Sequence, residues 1–103
     1  TNDKDIITAV NAIIESKGGI VAVHGNETKL LQLNVAGLMS TEEAEEVAKK
    51  YHEVHNMAKR LGSELTAPFM TMAFMALLVI PELKIGDKGL FDVSKFEFTS
   101  LFQ

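Results

Sequence analysis

Apolar residues fall into six patterns along the chain, and each predicts an element. Ile6, Ile7, Val10, Ile13 and Ile14 recur at three- and four-residue spacing, which is the stripe of an amphipathic helix. Asn2 or Asp3 can cap it by accepting from first-turn amides, and it should end near Lys17, where Gly18 and Gly19 supply a left-handed stop. Asp5 near its start and Lys17 near its end suit the helix dipole. Residues 20–23 are a short β-rich run, and Gly25-Asn26 is a turn signal. Leu31, Leu33 and Val35 then alternate with Gln32 and Asn34 until Gly37 breaks the pattern. The two runs predict a β-hairpin.

A second helix is predicted from Ser40 onward. Ser40-Thr41-Glu42-Glu43 has the form of a capping box. Ala44, Val47, Ala48, Tyr51, Val54, Met57, Ala58 and Leu61 then share one face, and Gly62 ends the run. Glu45–Lys49 and Glu46–Lys50 have the favourable i,i+4 order. The stretch around which the chain is organised follows. Between Pro68 and Pro81, only Thr71 is polar. This run is shorter than the roughly 17–25 residues of a membrane span, so protein must bury it. Both alternating faces are apolar, which favours a central strand covered on two sides. Good helix formers (Ala, Leu, Met) keep a buried helix as the alternative, because periodicity cannot arbitrate in such a run. Gly86 and Gly89 mark a turn-rich link, and Phe96 and Phe98 alternate with Lys95, Glu97 and Thr99 in a last strand.

The predicted fold is α+β: a mostly antiparallel sheet of about four strands with two amphipathic helices packed on it, in the order α-β-β-α-β-β. One domain, residues 1–103, is the natural count. The doubly apolar strand lacks cover on its second face, and the chain starts at Thr1 instead of Met. Both lead to the expectation that it belongs to a longer protein.

Composition narrows the function classes. The formal charge of −4 argues against a nucleic-acid partner, which would need a clustered basic face. No membrane partner is expected. The absence of cysteine excludes thiolate metal sites and suits a reducing cytoplasm. His52 and His55 flank Glu53, but a zinc-binding helix needs His at i and i+4, so the bland reading of two solvent-side histidines is preferred. His24 stands beside Gly25 with no nucleophile or carboxylate marked by spacing, as a turn histidine would. Gly18-Gly19 follows a helix, so it is a stop and not a phosphate loop. Met70, Met72 and Met75 are read first as core and second as an adaptable contact surface. No catalytic, metal or substrate-binding residue is assigned.

The run from Pro68 to Thr71, Val79-Ile80-Pro81-Glu82-Leu83-Lys84, Asp87-Lys88-Gly89-Leu90 and Phe96-Glu97-Phe98 closely resembles the C-terminal end of prokaryotic adenine deaminases. Ala36-Gly37-Leu38-Met39-Ser40, the Asn2-Asp3 entry and Gly18-Gly19-Ile20-Val21 match the same region, so the resemblance covers essentially the whole chain. It implies a parent enzyme of the amidohydrolase superfamily that hydrolyses adenine to hypoxanthine and ammonia. The parent's (β/α)₈ barrel would hold a divalent metal, Mn or Fe, with a His-x-His pair and further His and Asp ligands. That motif has no counterpart among His24, His52 and His55, so no family catalytic residue carries over and no cofactor is expected in this chain. The expectation is a non-catalytic C-terminal domain, inactive alone, whose partner is the barrel of the same chain. Phe69, Met70, Met72 and Met75 are its candidate interdomain contact. An assembly module forming a homo-oligomer, or a small-ligand domain with a pocket between helices and sheet, are the alternatives.

Overall fold

The computed structural model describes residues 1–102, which form two compact units divided after Glu64. The fold class is α+β, with three helices and two small antiparallel sheets.

The first unit contains α1 (Asp3–Ser16), β1 (Gly19–His24), β2 (Glu27–Gln32) and α2 (Ala44–Arg60). Asn2 caps α1: its Oδ1 accepts from the Asp5 amide at 3.0 Å, and its Nδ2 donates to Asp5 Oδ2 at 3.0 Å. The helix stops one residue earlier than the glycines suggest. Lys17 takes the left-handed conformation (φ 60°), while Gly18 N–H donates to the Ile13 carbonyl. β1 and β2 pair antiparallel from Gly19↔Gln32 to His24↔Glu27, around the expected Gly25-Asn26 turn. α1 is tied to the hairpin at both ends. Buried Asp5 accepts through Oδ1 from Gly25 N–H at 3.2 Å, and Gln32 Nε2 donates to the Ser16 carbonyl at 2.9 Å. The core lies where α2 meets the hairpin, with Val54, Met57 and Leu31 almost wholly buried and Ala22 also buried. Lys29–Glu53 (3.1 Å) and Arg60–Glu27 (2.7 Å) join β2 to α2 at the surface.

Three local expectations change here. β2 ends at Gln32, so Leu33 and Val35 lie in the connection to α2; Leu33 N–H donates to the Gly18 carbonyl, and Val35 bridges Met39. The Ser40 capping box does not form. Ser40 Oγ accepts from the Glu42 amide, Asn34 binds Thr41, and the helix starts at Ala44 with no side-chain cap. Short polar side chains have found turn partners in place of helix amides. Lys50 also bonds Glu42, eight residues back, in preference to Glu46.

The second unit contains α3 (Pro68–Met75), β3 (Leu83–Gly86), β4 (Gly89–Asp92) and β5 (Glu97–Phe98). The organising run is therefore a helix and a succession of turns, not the favoured central strand. Pro68 sits at the first helical position, where its missing N–H costs nothing. Thr71 Oγ1 donates to the Ala67 carbonyl at 3.0 Å, and Ala and Met favour the helix. After Met75, i→i−3 bonds from Ala76, Leu77 and Ile80 carry the chain through turns. The strands also separate into two sheets. β3-β4-β5 is its own antiparallel sheet, and Asp87-Lys88, expected only as part of a link, forms the hairpin turn between β3 and β4. Phe91 centres this sheet, edge-on to Phe96 and Phe98 at 5.4 and 5.3 Å. Phe96 itself is left-handed (φ 56°) and precedes the strand that it was expected to join.

Candidate functional site

The histidines stand apart from any assembled chemistry. His24 is exposed at the end of β1, His52 is exposed on α2, and half-buried His55 lies against the Tyr51 ring at 6.3 Å. Among the described residues, no three His, Cys, Asp or Glu side chains gather closely enough to hold a metal ion. The residues present therefore do not fit the metal that the resemblance implies for the parent enzyme. No described helix is long and apolar enough to cross a membrane.

What the surface offers instead is apolar. On α3, Met70, Met72 and Met75 are 57%, 64% and 65% exposed, Phe74 is half exposed, and Phe69 is half-buried. The reading of the methionines as core is thus not met by the unit that carries them. On α1, Ile6, Ile7, Val10 and Ile14 keep about half or more of their surface open. The stripe that predicts this helix is not used up by the hairpin beneath it.

The first unit also holds a groove of about 630 Å³ between β2, the β2–α2 connection and the first half of α2. Leu31, Leu33, Leu38, Met39, Val47 and Tyr51 line most of it. Two of its polar members are already engaged: Ser40 Oγ accepts from Glu42 N–H, and the Glu42 carboxylate is bound by Lys50. The arrangement presents mainly apolar side chains and supplies no nucleophile–base pair. A smaller hollow of about 190 Å³ lies across the Lys29–Glu53 and Arg60–Glu27 pairs. There the hydrogen bond from Arg60 lowers the Glu27 pKa, and that from Lys29 lowers the Glu53 pKa. The sequence patterning signals the apolar run that contains α3 by its lack of polar residues, though not its helical form. It does not signal the groove, because Leu38 and Met39 stand in a connection without period.

Fold and surfaces together define a small α+β module whose prominent features are exposed apolar surfaces. The chain belongs to the family described as the adenine deaminase C-terminal domain, which matches residues 1–97. It is 59% identical over 100 residues to an adenine deaminase of Methanosarcina mazei, covering 97% of this chain and 18% of that protein. Adenine deaminases of Methanothermobacter thermautotrophicus and Borreliella burgdorferi are 53% and 48% identical, over 92% and 95% of this chain. The chain thus spans only 18% of the length of these curated relatives. No solved structure matches it.

Proposed function

We propose that this chain is the non-catalytic C-terminal domain of an adenine deaminase and packs against that enzyme's catalytic barrel. On this reading the barrel, with a divalent metal such as manganese or iron, hydrolyses adenine to hypoxanthine and ammonia in cytoplasmic purine metabolism. The domain's part is to cover and support the barrel. The observation that carries the reading is α3, an eight-residue helix whose side chains are apolar but for Thr71 and largely exposed. Isolated apolar residues on a surface are ordinary, whereas a contiguous Met/Phe patch marks a contact. In a protein more than five times this length by the relatives' measure, the rest of the same chain is the nearest partner.

The test is adenine-dependent ammonia release by the parent enzyme with and without residues 1–103, at matched metal occupancy. The expected result is a folded, metal-loaded barrel with lower kcat after truncation. Metal-dependent turnover by residues 1–103 alone would overturn the non-catalytic assignment. Unchanged turnover and stability of the truncated barrel would overturn the packing.

A further inference from the structure

The β2–α2 connection displays two large apolar side chains on a backbone that is unusually well fastened. Leu38 and Met39 are 78% and 60% exposed. Behind them, Val35 and Met39 exchange both backbone bonds (2.9 and 3.1 Å), and Leu38 N–H donates to the Val35 carbonyl at 3.0 Å. The base of the loop is held by Leu33 N–H on the Gly18 carbonyl and by Asn34, whose amide both accepts from and donates to Thr41. Gly18 and Gly37 approach so closely that a Cβ on Gly18 would lie 2.5 Å from Gly37 Cα. Ala36, at φ 56°, occupies the left-handed region that costs a non-glycine residue free energy. A loop that only connected two elements would need neither this fastening nor an apolar tip.

From this geometry we infer that the Leu38–Met39 tip and the groove beside it form a docking site for the preceding part of the parent chain. The inference rests on the reading that this domain packs against its barrel, and it names where else it does so. The groove is lined mainly by aliphatic side chains, and its one carboxylate, Glu42, already faces Lys50. Its occupant is therefore an apolar segment and not a charged ligand. The occupant comes from the same chain because the domain is tethered to several times its own length in the relatives. A tethered partner acts at high effective concentration and outcompetes a free second copy for one patch. A fixed loop also loses little conformational entropy when it docks.

The experiment uses the full-length parent enzyme with a photocrosslinking residue at single positions: Leu38→p-benzoylphenylalanine, Met72→p-benzoylphenylalanine on α3, and Lys88→p-benzoylphenylalanine in an exposed turn as background. Mixed heavy- and light-isotope chains separate links within a chain from links between subunits. Position 38 should link to peptides of the preceding region about tenfold above position 88, as a tethered partner predicts. If position 72 links to that region and 38 does not, this inference falls and the packing proposal stands. If 38 links only between chains, a second copy occupies the groove and the inference is overturned. If neither 38 nor 72 links to the preceding region, the packing proposal fails together with it.

Discussion

Gly18 and Gly25 both have positive φ, at 121° and 59°, yet they do different work. Gly25 sits in an open hairpin turn where a Cβ would meet nothing within 4 Å. Gly18 is crossed by the β2–α2 connection, and a Cβ there would lie 2.5 Å from Gly37 Cα and 2.9 Å from the Leu33 carbonyl oxygen. Gly25→Ala should therefore cost only about 1 kcal/mol, the ordinary penalty for a left-handed side chain. Gly18→Ala adds a backbone collision that no rotamer relieves, and should cost more than about 3 kcal/mol. Urea denaturation of the two variants side by side checks the difference. Equal costs would show that the close Gly18–Gly37 approach is not what holds the loop. The glycines themselves are visible in the sequence. Which of them is crowded is not, because Gly37 arrives from 19 positions further along the chain.

At the scale of elements, α2 is held to β2 by a buried contact and by a surface ladder of charge. Val54 and Met57 supply the first, and Arg60–Glu27 and Lys29–Glu53 the second. Both carboxylates have pKa values lowered from 4.5, chiefly by the hydrogen bonds from Arg60 and Lys29. A depressed folded-state pKa stabilises the fold above the unfolded value and loses that contribution as pH falls through the folded value. Acidification below pH 4.5 should thus weaken the α2–β2 contact. A Glu27→Gln, Glu53→Gln variant should show a flatter decline in denaturation midpoint over that window. Because the pairs are exposed, the effect is small and shrinks further with added salt. An identical pH profile in variant and parent would show that the ladder contributes nothing. The period of α2 is plain in the sequence, whereas its partners across the hairpin depend on register. Lys50 in turn pairs with Glu42 in the connection just before α2, a contact that i,i+4 spacing does not suggest.

For the whole molecule the informative feature is apolar surface left over after each unit has folded. Such surface is tolerated when something else covers it, and in the parent enzyme α3 is proposed to be covered by the barrel. Met72→Glu in the full-length enzyme would then place an unpaired charge in an apolar contact. It should cost about 2–4 kcal/mol, read as a lowered melting temperature, whereas Lys88→Glu in the exposed β3–β4 turn should cost little. If the two variants melt alike, α3 is not buried in the parent.

By itself the sequence determined the α+β class, the two amphipathic helices, the first hairpin and the family. All of these rest on short-range signals: an apolar period, a capping asparagine, a turn dipeptide, a run of matching motifs. Tertiary structure decided that residues 68–75 are helical, that the C-terminal strands form a separate sheet, and that Leu38 and Met39 flank a groove. An all-apolar run has no polar phase from which to read a period, so only its surroundings choose between helix and strand. Strand partnership and the crowding of loops depend on residues far apart in the chain, and no local pattern encodes them.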